Sequence, residues 1–179
     1  TKEKNLLIEN VIKLTHIYKY KKINSIILLN YAPEANEFLY WCQQLIAESL
    51  GKKGKGILPV VSLAPRDHHS LLQLYLDGPK DKLFNIFSLK LKKKMKINKN
   101  IFGNAFNYAE NKNLSKAIEA QKNALIQVLK SKNIPYQEFI INKKNEETLG
   151  KLFSYFIIET ILIAKMLDIN PFDQPAVEE

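Results

Sequence analysis

Residues 23–64 read INSIILLNYAPEANEFLYWCQQLIAESLGKKGKGILPVVSLA, and this stretch decides the fold. It opens with a short run of isoleucine and leucine that ends in a polar turn at Asn30. Such a run reads as a strand buried on both faces. A helix follows: Pro33 suits a first helical turn, Glu34 and Glu37 suit its positive end, and Gly51 offers a stop. Residues 57–64 then form a second compact apolar run, a second strand. No two-residue hairpin signal lies between the two strands, so the unit is strand, helix, strand with the strands parallel.

The pattern extends in both directions. Upstream, Leu7, Val11, Leu14 and Tyr18 recur at helical spacing and outline an amphipathic helix. Downstream, HHSLLQLYLDGP is a short helix ended by Gly78-Pro79, and KLFNIFSLKL is a third strand. A lysine-rich loop over residues 89–100 and the segment IFGNAFNYAEN follow it. Next comes a helix with Leu114, Ile118, Leu125 and Leu129 on one side, then the strand IPYQEFIIN. The last long helix, from Glu146 onward, is apolar on nearly every face, which predicts burial on both sides or cover by a partner subunit. The expectation is one α/β domain over residues 1–179, a three-layer α-β-α arrangement. Its mostly parallel sheet has about five strands flanked by helices. Ligands bind beyond the carboxyl ends of such strands, where NYAPE and APRDHH should lie.

Composition narrows the function classes. The 179 residues are 46% hydrophobic, enough for a sizeable core. The single cysteine, Cys42, excludes an internal disulfide and fits a reducing, cytoplasmic setting. No leader-like h-region opens the sequence, and the run LFSYFIIETILIAKML is cut by Glu159 and Lys165, so no membrane span is expected. The net charge is +9, with 27 Lys+Arg against 18 Asp+Glu, yet Arg66 is the one arginine. Recognition of bases and phosphates leans on arginine forks, so nucleic acid is not the expected partner.

Three motifs have both a bland and a chemical reading. GKKGKG, residues 51–56, lacks the P-loop spacing and reads as a flexible basic turn. Asp67, His68 and His69 are adjacent and point different ways, and no third ligand is spaced for zinc, so no metal or other cofactor is expected. Gln44 and Glu48 are four apart and share a helix face. Glu48 falls near a helix end, where the dipole disfavours an anion while Lys52, Lys53 and Lys55 favour it. Spacing alone leaves it either a solvent-exposed glutamate or a general base.

Three blocks are more specific: QQLIAESLGKKGKGILPV, DHHSLLQLYLDGPKDKLFNIF and ETLGKLFSYFIIETILIAKMLDINPFDQPAVEE. Together they resemble phosphoglucose isomerase (glucose-6-phosphate isomerase). The last matches that family's C-terminal signature, Phe-Asp-Gln, then a small residue, Val and Glu. Family members have two sugar-isomerase (SIS) domains, and this chain resembles the C-terminal one, without its N-terminal partner domain. The resemblance implies interconversion of glucose 6-phosphate and fructose 6-phosphate, a step of glycolysis and gluconeogenesis. It implies that Glu48 is the base moving a proton between C2 and C1 through an enediol. It implies that His69 assists ring opening and that Gln44 and Gln174 lie near the substrate phosphate. His68 stands where the family commonly has glutamine and receives no chemistry.

These residue types suit the chemistry. A sugar C–H beside a carbonyl is a weak acid whose removal needs a positioned carboxylate, and ring opening suits an imidazole that titrates near neutrality. The family's lysine would fall two positions past Glu179. The first domain's Gly-Gly-Arg-Phe-Ser block and Ser/Thr-rich phosphate loop have no counterpart here. Without phosphate anchoring, remote binding energy cannot hold the sugar in a reactive pose, so this chain alone is expected to turn over little or nothing. The family's histidine reaches across from a neighbouring subunit, which implies a homodimer for the intact enzyme. The competing reading is a non-catalytic SIS module that binds a sugar phosphate and regulates a partner.

Overall fold

The computed structural model describes residues 2–90 and 113–178. Most of the lysine-rich loop and all of IFGNAFNYAEN lie outside the described residues. The elements run α1 (Lys2–Tyr20), β1 (Ser25–Asn30), α2 (Asn36–Leu50), β2 (Leu58–Leu63), α3 (Leu72–Asp77), β3 (Lys82–Leu89), α4 (Leu114–Ser131), β4 (Tyr136–Ile141) and α5 (Glu146–Met166). Single 3-10 turns, Pro33–Ala35 and Arg66–His68, precede α2 and α3. Among the described residues there are four strands, all parallel, in the order β2-β1-β3-β4, where about five were expected for the chain. They are the four runs legible in the sequence.

Alternation along the strands builds the two cores. Ile26 and Leu28 of β1, with Leu83 and Phe87 of β3, face α1, α2 and α5. Ile27 and Leu29, with Phe84 and Ile86, face α3 and α4. The central strands therefore need no polar face, and the three layers follow. The chain leaves β1 toward β2 through α2 on one face. It then steps back past β1 to β3 and β4 through α3 and α4 on the other face, as right-handed crossovers require.

Phe156 of α5 is fully buried and meets the rings of Phe38, Phe87, Phe139 and Tyr155. Truncation there leaves a cavity between two helices and the sheet. Phe156→Ala is expected to lower unfolding free energy by about 3–5 kcal/mol, measured by urea denaturation. The outer side of α5 differs from the expectation of burial on both sides. Leu149, Ile157, Ile158 and Met166 are exposed, because only one face of the helix meets the sheet, α1 and α2.

Pro59 is tolerated because β2 forms one margin of the sheet among the described residues. Leu58 donates its backbone N–H inward to Asn24, so the next residue's nitrogen, which carries no hydrogen, points outward. GKKGKG forms a turn after α2. Gly56 has φ +112°, and a Cβ there would lie 2.7 Å from the Leu50 carbonyl oxygen, so the turn folds tightly onto the end of α2. Its Lys55, with Lys19, donates to the Leu167 and Met166 carbonyls at 2.6 and 2.9 Å. Both cations thereby satisfy the negative end of α5.

Candidate functional site

α2 leaves the carboxyl end of β1 and returns toward the start of β2, so its last turn lies at the amino edge of the sheet. α5 runs the same way and delivers the C-terminal tail to that edge. Glu48 projects from the last turn of α2 and is exposed. Gln44 Nε2 donates to its Oε1 at 2.9 Å, and Gln174 Nε2 donates to its Oε2 at 3.3 Å. Each carboxylate oxygen thus takes one neutral amide donor. No cation pairs with Glu48 among the described residues. Lys52 and Lys55, expected to favour its charge, are turned to the tail and to α5 instead.

The tail is shaped to present Gln174. Lys52 is buried, and its Nζ donates to the Asn170 carbonyl at 2.7 Å and to Asp173 Oδ1 at 3.0 Å. That hydrogen bond and charge hold the Asp173 carboxyl below its ordinary range. Phe172 N–H donates to Asn170 Oδ1, and Gln174 N–H donates to Glu178 Oε1. The Gln174 carbonyl accepts from the Val177 and Glu178 N–H groups, which closes a turn behind it.

His69 lies elsewhere. It follows β2 at the carboxyl edge and is exposed, and its ring has no hydrogen-bond partner among the described residues. A six-residue strand is about 20 Å long, so Glu48 and His69 are separated by roughly that distance within one chain. The turn bearing His69 is stapled by Asp67, whose Oδ2 accepts from the Leu63 N–H at 2.7 Å and from Ser62 Oγ at 3.1 Å. Arg66 Nε donates to the other oxygen at 2.8 Å. Burial alone would raise the Asp67 pKa, but these three donors outweigh it and hold the carboxyl below its ordinary range. His68 is half-buried and shares a 2.9 Å hydrogen bond with the Tyr31 hydroxyl, and burial lowers its pKa.

No family model matches the chain. A probable glucose-6-phosphate isomerase of Methanococcus maripaludis is 35% identical over 176 residues, which are 98% of this chain and 39% of that protein. The glucose-6-phosphate isomerase of Mycoplasmopsis synoviae is 34% identical over 166 residues, 91% of this chain and 39% of that protein. This chain is homologous to part of glucose-6-phosphate isomerase. It spans about two fifths of the length of these curated relatives. A crystal structure of a hypothetical protein from Thermus thermophilus shares the fold, with TM-score 0.84 and 24% identity over 98% of this chain and 43% of that one.

Against that glucose-6-phosphate isomerase background, three of the four residues singled out in the sequence come together and one does not. Glu48, Gln44 and Gln174 form one cluster at the amino edge. His69 is at the opposite edge, the one where the fold class leads one to look for ligands. Sequence reasoning named Lys52 and Asp67 but not the contacts they make. Nothing in the spacing of a lysine-rich turn reports that one of its lysines is buried against residues more than a hundred positions away. Asp67 was weighed only as a metal ligand. No described helix is long and apolar enough to cross a membrane.

Proposed function

We propose that this chain is the C-terminal SIS domain of a cytoplasmic glucose-6-phosphate isomerase and carries its base, Glu48. The observation that carries this reading is the state of that carboxylate. It is exposed, free of any cation among the described residues, and fixed from both sides by the Gln44 and Gln174 amides. A carboxylate locked to a lysine could not readily take a proton from carbon. One held by neutral donors keeps its acceptor capacity and loses only its freedom to rotate. In this account Glu48 takes the proton from C2 of the opened sugar and returns it to C1 of the enediol. The two amides orient it and extend toward the substrate phosphate.

His69 serves ring opening, moving a proton from the O1 hydroxyl and delivering one to the ring oxygen. With the two residues on opposite edges of the sheet, the site is completed by a second copy in a homodimer. An N-terminal SIS domain supplies the phosphate anchor. The isolated 179-residue chain then turns over little or nothing, since it lacks that anchor. The test is the full-length gene product beside its Glu48→Gln variant, assayed for conversion of glucose 6-phosphate to fructose 6-phosphate. Loss of about 10²–10⁴-fold in kcat is expected. Unchanged activity in the variant removes the base assignment.

A further inference from the structure

Lys52 follows α2 just after its Gly51 cap and bonds to the tail rather than to Glu48. It is 8% exposed, and a buried ammonium is costly unless it is paired and hydrogen-bonded. Its two acceptors, the Asn170 carbonyl and Asp173 Oδ1, both lie on the tail and bracket Pro171 and Phe172. Gln174 is the next residue. One cation therefore grips the tail at two points immediately before the side chain that meets Glu48. Lys19 and Lys55 hold the end of α5 independently, and Ile169 is anchored in the core. The lysine's grip is thus confined to residues 170–174.

We infer that Lys52 is a positioning residue for the isomerase site: its paired bonds to Asn170 and Asp173 seat the strap that sets Gln174 against the Glu48 carboxylate. This rests on the reading of Glu48 as the base. Lys52→Met keeps the apolar stem and removes the grip. Asp173→Ala removes one of the two holds from a side chain that is 43% exposed, so it tests the same contact without disturbing the core.

Two readouts separate the possibilities. In the 179-residue chain, chymotrypsin should cut after Phe172, already 78% exposed, about tenfold faster in both variants than in the wild type. In the full-length gene product, both variants should lose about 10²-fold in kcat, the scale expected when a reacting group is misplaced by about an ångström, with a smaller change in KM. Wild-type kcat in both variants, beside an inactive Glu48→Gln control, overturns the positioning role and leaves the base assignment standing. Unchanged cleavage after Phe172 overturns the strap itself. Full activity in the Glu48→Gln control removes the isomerase reading, and the positioning role falls with it.

Discussion

On the proposed reading, the variants Glu48→Gln and His69→Ala of the full-length gene product, each inactive alone, should together regain about a quarter of wild-type isomerase activity when dissociated and reassembled. The reason is distance. Glu48 is in the last turn of α2 at the amino edge, and His69 follows β2 at the carboxyl edge. About 20 Å of strand lies between them, too far for both to reach one six-carbon sugar. In a two-fold dimer each site would take Glu48 from one copy and His69 from the other. A hybrid then has one site with both residues damaged and one with both intact. Random reassembly makes half the dimers hybrids, each with half its sites working. Each variant reassembled alone stays inactive. A mixture that also stays inactive, with hybrids present by mass, rules out sharing of the site across the dimer.

The second large effect concerns stability. Glu159 is buried in α5, where Asn10 Nδ2 and the Tyr155 hydroxyl donate to its Oε1 at 3.0 and 2.9 Å. Burial pushes its pKa up to about 7, the two donors offsetting part of that rise. The titratable groups that feel its charge, Tyr18, Tyr155 and Cys42, are themselves raised by burial and stay neutral. A carboxyl whose folded pKa lies above its unfolded value contributes stability that is complete below the unfolded pKa, near 4.5. That contribution is lost as pH rises through about 7. Between pH 4.5 and pH 8 the loss amounts to about 3 kcal/mol. Glu159→Gln should match the wild type near pH 5 and exceed it by up to ~3 kcal/mol at pH 8. Urea unfolding of the chain at pH 5, 6.5 and 8 measures this. A difference between variant and wild type that does not change with pH excludes the mechanism.

How much of this was legible in the sequence depended on the range of the interaction. β1 was readable because a parallel strand buried on both faces must be apolar at consecutive positions, and β3 because its residues alternate. β2 and β4 are only partly buried, with Leu58, Glu138 and Ile140 exposed. α2 was bounded by its own Pro33 and Gly51. The Gln44–Glu48 contact followed from helical spacing. Contacts closed by the fold were invisible. Lys52 and Asp173 are 121 positions apart, and Asn10 and Glu159 are 149 apart. No periodicity links such pairs.

Glu159 illustrates the difference. As a letter it interrupted an apolar run and argued against a membrane span. In the fold it belongs to a polar cluster centred on Asn10, which joins α1 to Gln137 of β4 and to Tyr155 and Glu159 of α5. Of the two expectations for α5, burial on both sides within the chain does not hold, because a helix lying on one side of a sheet hides only one of its faces; cover by a partner subunit is the other.

Pro59 carries a consequence for the chain's life before it finds any partner. An outermost strand is a template on which another extended chain can dock rung by rung and begin fibrillar growth. Because the nitrogen of Pro59 faces away from β1 and bears no hydrogen, one rung of that template is missing near its start. A second copy attempting to extend the sheet there meets a gap in the ladder, which weakens pairing along that margin.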